Sequence, residues 1–218
     1  MNIAIDGPVA SGKGTVTKAL AERLGIPALD TGAAYRGVTL YLLEHNFDLH
    51  DEKRILMNLK KIDLRLYLAD NHEVRVFTQG QDVTGRIRDN RVSLAVPVVA
   101  AYAGVRDYVN QQIGLVAAQG DFILEGRDIG TVVLPNAEYK FFLTASLEVR
   151  AKRRQADLAA KGEKLSLLAV MQQVKERDEQ DLNRAVAPLR QAEDAIYIDN
   201  SALTLEQTVD MMAKYIKL

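Results

Sequence analysis

The feature that most constrains this chain is the stretch Gly7-Pro8-Val9-Ala10-Ser11-Gly12-Lys13-Gly14-Thr15. A glycine followed, after four residues, by Gly-Lys is the spacing of a loop whose backbone N–H groups surround phosphates, together with the positive end of the next helix. The flanks agree, because an apolar run over Met1–Ile5 precedes the loop and apolar residues recur at helical spacing after it, up to Gly25. The sequence therefore predicts a strand, a phosphate-binding loop and a helix.

Two side chains of this loop fit the chemistry of a bound nucleoside triphosphate. Lys13 is placed to reach the β- and γ-phosphates, and the Thr15 hydroxyl is placed to face the Mg²⁺ ion that bridges them. A glycine-rich turn between two core elements is the alternative, but it leaves the lysine, the threonine and the matching flanks unexplained. We therefore expect Gly7 to Thr15 to bind a triphosphate, with Lys13 on its β- and γ-phosphates and Thr15 on the metal ion.

The composition limits the possible partners. Over 218 residues there are 28 Lys and Arg against 29 Asp and Glu, a balance that does not indicate nucleic acid or a membrane surface as a partner. The absence of cysteine excludes disulfides and thiolate metal sites, and three scattered histidines do not make a metal site. There is no leader pattern and no apolar run approaching about 18 residues. We expect a soluble, cytoplasmic monomer.

A second strand-loop-helix unit is predicted after Gly25. It consists of a short strand over Ile26–Leu29, a polar turn at Asp30-Thr31-Gly32 and a helix. Tyr35 and Arg36 fall one turn into this helix, so a cation lies near the carboxyl end of a strand, where ligands of open α/β sheets bind. A solvated surface arginine is the alternative, and position alone does not decide between the two.

The next region departs from the strand-loop-helix pattern. Apolar residues alternate from Ile62 to Leu68, and the alternation resumes at Val74 after Asp70-Asn71, which predicts an antiparallel hairpin with one solvated face. Such a hairpin does not belong to a parallel sheet. We therefore interpret Lys61 to about Arg88 as part of an inserted, substrate-side domain.

The insertion is predicted to continue in two helices. Asp89 can cap the first, and Pro97 is expected to interrupt it. The second carries Arg106 beside its apolar face and is expected to end at Gly120.

The chain then returns to a buried strand, Phe122–Glu125, and a polar, glycine-flanked loop, Gly126–Thr131. Arg127 and Asp128 lie in this loop, again at the carboxyl end of a strand. A structural ion pair between these two neighbours is the alternative to a role in binding.

A strongly basic helix follows, with Arg150, Lys152, Arg153 and Arg154 within five positions. Charge runs on helices are most often solvated faces, but this helix gives way at Lys161–Lys164 before a second amphipathic helix begins near Leu167. Residues 150–190 contain ten Lys or Arg against six Asp or Glu. The pattern predicts a basic flap that can close over phosphates.

The second flap helix carries Arg177, Asp181 and Arg184, spaced at four and three residues, so the three are expected to share one helical face. An intrahelical salt-bridge ladder is the alternative. Two further strands are predicted at Tyr139–Thr144 and Ala195–Ile198, and helix caps are predicted at Ser146 and at Thr204 with Gln207.

In combination these residues resemble the bacterial cytidylate kinases of the nucleoside monophosphate kinase group of P-loop kinases. The resemblance covers nearly the whole chain. It rests on Asp6-Gly7-Pro8, Asp30-Thr31-Gly32-Ala33 with Tyr35-Arg36, Gly126 to Val133 before Pro135, Arg177-Asp178, Asp181, Asn183 to Leu189, and Ala192-Glu193-Asp194-Ala195.

The resemblance implies an α/β fold, with a five-stranded parallel core, helices on both faces, an inserted monophosphate-binding domain containing the antiparallel hairpin, and a small lid. The implied segments are core at 1–29, insertion at 30–120, core at 121–149, lid at 150–164 and core at 165–218.

The resemblance also implies roles for site residues. Arg36, Arg127 and Arg184 would hold the acceptor phosphate with Thr31, near Tyr35. Arg177 and Asp181 would hold the sugar, and Arg106 and Asp128 would read the cytosine. Lys13, Arg127, Arg184, Arg150, Arg153 and Arg154 are the predicted catalytic residues. Three positions depart from the family pattern, namely Glu125 for a common Asp, Asn200 for a common Thr, and Pro97 for a Ser that helps read the base.

The implied reaction transfers the γ-phosphoryl group of ATP, as its Mg²⁺ complex, to CMP or dCMP. The acceptor is already an anionic oxygen and needs no general base, so arginines that align and neutralise two phosphate groups suffice. The alternatives are another small P-loop kinase acting on AMP, dTMP or a metabolite alcohol, and a nucleotide-dependent switch. The arginines on the acceptor side favour the kinase.

Overall fold

A computed structural model describes residues 1–69 and 73–217. The strands are β1 Asn2–Asp6, β2 Ala28–Asp30, β3 Arg65–Leu68, β4 Val74–Thr78, β5 Gln81–Asp82, β6 Phe122–Gly126, β7 Tyr139–Thr144 and β8 Ile196–Asp199. The α-helices are α1 Lys13–Leu24, α2 Thr31–Glu44, α3 Glu52–Ile62, α4 Asn90–Val99, α5 Ala103–Ala117, α6 Leu147–Ala160, α7 Leu167–Asn183 and α8 Leu205–Ala213. A 3₁₀ turn lies at Arg86–Arg88 and a π-helical turn at Ile129–Val133.

The strands form two sheets. The larger has five strands in the order β2-β6-β1-β7-β8, with β1 parallel to β7 and β7 parallel to β8. The smaller sheet is antiparallel, in the order β3-β4-β5. The predicted five-stranded parallel core and the predicted hairpin are both confirmed, while the turn predicted at Asp70-Asn71 lies outside the described residues.

The chain divides into two compact units. The first unit comprises residues 1–25 and 123–218, and the second comprises residues 26–122. The core of the first unit contains Ile3, Leu20 and Phe141, and the core of the second contains Leu42, Ile55 and Ile113, all fully buried. Each unit therefore has an apolar core of its own.

Local sequence signals explain most helix ends. Gly25 closes α1 in a left-handed conformation, with φ of 68°. The side chains of Asp89 and Ser146 accept hydrogen bonds from the first turns of α4 and α6, and Thr204 with Gln207 forms a capping box at α8. The predicted caps are confirmed.

Three predicted boundaries were wrong. Pro97 does not interrupt α4, which continues to Val99, because the helical hydrogen bonds resume after it, with the Ala100 N–H bonding the Val96 carbonyl at 2.8 Å. α5 ends at Ala117 rather than at Gly120. α2 begins at Thr31, directly after β2, so the polar turn predicted there is the first turn of the helix.

Among the described residues, no single helix has the length and apolar character needed to cross a membrane, whereas α4 and α5 taken together meet that test and are bent by 113°.

Candidate active site

The phosphate-loop motif lies between β1 and α1, as predicted, and its backbone allows little substitution. A Cβ added at Gly7 would lie 2.0 Å from the Leu143 carbonyl oxygen on β7, so only glycine fits there. Gly12 caps α1 with φ of 89°, and Ala10 also adopts a left-handed conformation, with φ of 57°. The loop thus turns its backbone sharply just before the N-terminus of a helix, which is the arrangement that binds anions.

Lys13 lies beneath the loop rather than in solvent. Its Nζ donates to the carbonyls of Gly7 and Pro8 at 2.9 and 2.8 Å and lies 3.4 Å from Ser11 Oγ, and the residue is only 7% exposed. Burial, with the nearby Arg127 guanidinium, lowers the pKa of Lys13 from 10.5 to about 7. A bound triphosphate would offer Lys13 the anionic partner that the loop carbonyls do not provide.

The residues around the loop fit a metal ion held mainly through a nucleotide. No group of three His, Cys, Asp or Glu side chains suited to a metal occurs in the described part of the chain. The Thr15 side chain is exposed at the start of α1, and Glu125 Oε1 lies 3.2 Å from the position that a Cβ on Gly14 would take. A hydroxyl and a nearby carboxylate are the oxygen donors that Mg²⁺ accepts beside phosphates.

The outer side of the loop is bound to the two flap helices. Arg150 on α6 donates to the Val9 carbonyl at 3.2 Å and to Asp178 on α7 at 2.6 Å, and Asp178 accepts from the Val9 N–H at 3.3 Å. Arg153 donates to the Ser11 carbonyl at 3.0 Å. Arg154 is partly exposed and forms no hydrogen bond or ion pair within residues 1–69 and 73–217.

The flap is a packed helical hairpin. The apolar faces of α6 and α7 bury Ala151, Leu158, Val170 and Val174 together, and Val9 of the phosphate loop packs against this cluster. The hairpin turns at Lys161 and Gly162, where Gly162 has φ of 85°. The predicted helix, break and second helix are present, whereas the closing motion stays a prediction.

Arginines and carboxylates of the first unit pair across elements. Arg127 Nε donates to Asp181 on α7 at 2.8 Å, and Arg184, directly after α7, donates to Asp128 at 3.1 Å. Arg177 Nε lies 3.5 Å from Asp181. Burial alone would raise the pKa of Asp181, but Arg127 and Arg177 hold it below the ordinary value.

These contacts test two alternatives raised by the sequence, an intrahelical salt-bridge ladder on α7 and an ion pair between the neighbours Arg127 and Asp128. The salt-bridge ladder describes only Arg177 and Asp181, because Arg184 lies past the helix end and turns to Asp128. Arg127 and Asp128 each make an ion pair with a residue at or after α7, rather than only with a sequence neighbour. The predicted acceptor-side residues of the first unit are therefore brought together.

Asp6 was missed as part of the site. Its two carboxylate oxygens accept from the backbone N–H groups of Ile129 and Gly130 at 2.8 and 2.7 Å. Burial raises the pKa of Asp6 to about 6, although the two hydrogen bonds oppose the shift. Asp6 thus fixes the loop that carries Arg127 and Asp128. Its position at the carboxyl end of β1 was the signal that could have identified it.

The second unit holds the other predicted site residues. Arg36 pairs with Asp30, and Gly32 lies against both, since a Cβ there would be 2.9 Å from the carboxylate. Thr31 is buried at the start of α2.

A second group in this unit surrounds Tyr35. The Arg106 guanidinium lies 5.3 Å from the centre of the Tyr35 ring and donates to the Ala100 carbonyl, and the Tyr35 hydroxyl donates to Asn110 at 3.3 Å. Arg106 is 3% exposed. Asn110 was not predicted, and nothing in its spacing distinguishes it from other polar residues of α5.

The parallel sheet, the phosphate loop at a helix N-terminus and the adjoining arginine cluster define a P-loop phosphotransferase. A family model described as cytidylate kinase matches residues 3–218. Cytidylate kinases from Carboxydothermus hydrogenoformans and Bacillus subtilis are 44% and 40% identical to this chain, covering 99% and 100% of it and 97% and 96% of the relatives.

The chain therefore belongs to the cytidylate kinase family, and the predicted family is confirmed. A solved shikimate kinase from Bacteroides thetaiotaomicron superposes with a TM-score of 0.49 at 15% identity, over 100% of this chain and 99% of that one.

Proposed function

We propose that this protein transfers the γ-phosphoryl group of ATP to CMP or dCMP and releases ADP and the nucleoside diphosphate. The observation that carries the proposal is the arginine cluster of the first unit, Arg127, Arg177 and Arg184, held by Asp128 and Asp181. It occurs in one compact unit with a phosphate loop and in a chain whose relatives are named cytidylate kinases.

Lys13 binds the phosphates of ATP during the reaction. On binding, its ammonium exchanges the loop carbonyls for the β- and γ-phosphates, and the phosphate charge raises its pKa again. It then stays protonated while charge shifts toward the leaving oxygen. Mg²⁺ neutralises the phosphate charge when bound, and Thr15 is the residue that would hold it.

The arginines of the cluster bind the acceptor nucleotide. Arg127 and Arg184 hold the acceptor phosphate and align its oxygen for attack, and no general base is required because that oxygen is already anionic. Arg177 and Asp181 hold the sugar, and Asp128 accepts from the cytosine amine. The second unit, which we assign as the monophosphate-binding insertion, supplies Thr31, Tyr35, Arg36 and Arg106.

The lid arginines divide into two kinds. Arg154 is the one without a hydrogen bond or ion pair in the described chain, so we assign it to direct contact with the transferring phosphate. Arg150 and Arg153 affect catalysis indirectly, because they hold the Val9 and Ser11 carbonyls of the phosphate loop in place. The expected cytoplasmic location, monomeric state and lack of a nucleic-acid partner stay predictions.

A coupled assay of ADP release with CMP, dCMP, UMP, AMP and dTMP tests the proposal. We expect the two cytidine nucleotides to be preferred. Lys13→Ala should lower turnover at least about a hundredfold with the fold intact, as removal of a strong transition-state donor does. Lys18→Ala, at an exposed lysine of the same helix, is the matched control. A preference for AMP or dTMP would favour the other kinases, and ATP binding without transfer to any acceptor would favour a switch.

A further inference from the structure

Two side chains hold one carbonyl of the phosphate loop from its outer side. Asn200, directly after β8, donates from Nδ2 to the Ser11 carbonyl at 3.1 Å, and Arg153 donates to the same oxygen at 3.0 Å. Arg153 also donates to Asn200 Oδ1 at 3.0 Å and to the Asn200 carbonyl at 3.2 Å. The amide of Asn200 therefore uses its oxygen on Arg153 and its nitrogen on the loop.

Holding the Ser11 carbonyl in one orientation also orients a hydrogen-bond donor, the N–H of Gly12. In a planar trans peptide the C=O of Ser11 and the N–H of Gly12 point in opposite directions. Because Gly12 has φ of 89° and no side chain, this peptide has little steric reason to keep one orientation. With the Ser11 oxygen held by Arg153 and Asn200, the Gly12 N–H faces away from these two side chains, and we place the phosphates on that side because backbone N–H groups of such loops bind them.

Asn200 is itself held in place. Its N–H donates to the Thr144 carbonyl at the end of β7 at 2.8 Å, and its own carbonyl accepts from Leu203 at 3.3 Å. The residue is 3% exposed. The backbone of Asn200 is thus anchored beside the end of β7, while its side-chain amide is held between Arg153 and the Ser11 carbonyl.

We propose that Asn200 is a positioning residue for ATP, which acts through the Ser11 carbonyl to orient the Gly12 N–H toward the phosphates. Asparagine suits this task because it offers a donor to the loop and an acceptor to Arg153 from one planar group. The inference rests on the proposed function only in taking the Gly7–Thr15 loop as the ATP site.

Two variants test it. Asn200→Ala removes both contacts, and Asn200→Asp keeps the shape and the acceptor for Arg153 but removes the donor to Ser11. We expect Asn200→Ala to weaken MgATP binding about two- to tenfold, the range for one hydrogen bond, and Asn200→Asp to weaken it at least as much, because its carboxylate also faces the Ser11 carbonyl oxygen. The dissociation constant for CMP should stay unchanged in both. The binding of both ligands is measured by calorimetry, with the melting temperature of each variant recorded.

Ser201→Ala is the matched control. Ser201 lies in the same turn, accepts from the Ser146 N–H at 2.7 Å and donates to Asp199, and within residues 1–69 and 73–217 it forms no hydrogen bond with the phosphate loop. This variant should lower the melting temperature without separating the two affinities. MgATP binding within twofold of wild type in Asn200→Asp, or equal weakening of ATP and CMP, would overturn the proposal.

A failure of the proposed function would look different. If the unmodified protein binds MgATP but transfers no phosphoryl group to CMP, the activity is wrong while the effect of Asn200 on ATP can still be measured. If it does not bind MgATP at all, both the proposed function and the proposed role of Asn200 are wrong.

Discussion

The low pKa of Lys13 predicts that MgATP binding takes up protons near neutral pH. In the free protein burial sets this pKa at about 7, and a bound triphosphate should restore it to its ordinary 10.5 or above. A group with a pKa near 7 is about nine-tenths, one-half and one-tenth protonated at pH 6, 7 and 8. Binding should therefore take up about 0.1, 0.5 and 0.9 protons at these pH values.

The same shift sets the direction of the pH dependence. Because the bound form needs a proton that the free form has lost, the affinity for MgATP should fall as the pH rises, by about fivefold between pH 7 and 8. Asp6 is mostly ionised at pH 8, since its pKa is about 6, so the uptake at that pH reports mainly on Lys13. Isothermal titration in two buffers of different ionisation enthalpy measures the number of protons directly.

Two variants make the measurement specific. Lys13→Met should abolish the uptake at pH 8, and Lys18→Met, at an exposed position of the same helix, should leave it unchanged. Wild-type binding at pH 8 without proton uptake would refute the reasoning, since it would mean either that Lys13 is charged in the free protein or that it does not meet the phosphates. Uptake that persists in Lys13→Met would assign the proton to another group.

Three further predictions concern single positions. The folded pKa of Asp6, about 6, lies above its unfolded value of 3.8, so the stability it contributes is full below pH 3.8 and lost as the pH rises through 6. Between pH 4 and 7 the unfolding free energy of the wild type should therefore fall by about 2 kcal/mol relative to Asp6→Asn, measured by denaturant titration. Gly7→Ala should lower the free energy of unfolding by roughly 1–3 kcal/mol, measured by denaturant titration, because the added Cβ would lie 2.0 Å from the Leu143 carbonyl oxygen and overpack the loop against β7. Pro97→Ser should raise the kcat/KM ratio of CMP to UMP about two- to tenfold, since proline has neither a side-chain hydroxyl nor a backbone N–H to offer a base, and an unchanged ratio would show that this position does not read the base.

Local signals predicted most of the fold because each is complete within a few residues. The glycines and lysine of the phosphate loop, the Gly25 stop and the capping box at Thr204 all depend on neighbours along the chain, and the structure has each in place. The error at Pro97 has the same origin. A local rule gives the cost of proline in a helix, but the packing of Val92, Val96 and Val99 in the core outweighs one lost hydrogen bond.

The partners of the charged side chains could not be predicted, because they depend on which elements become neighbours after folding. Arg150, Arg153 and Arg154 look alike in the sequence, and Arg150 and Arg154 even share one helical face, yet only Arg150 and Arg153 donate hydrogen bonds to the phosphate loop. Arg127 and Asp128 are adjacent, yet each forms an ion pair with a different residue 54 or 56 positions away. Spacing therefore identifies which residues can serve phosphate chemistry, whereas the fold decides which of them stay available for a ligand. That distinction is why we assign Arg154, rather than the whole basic run, to the transferring phosphate.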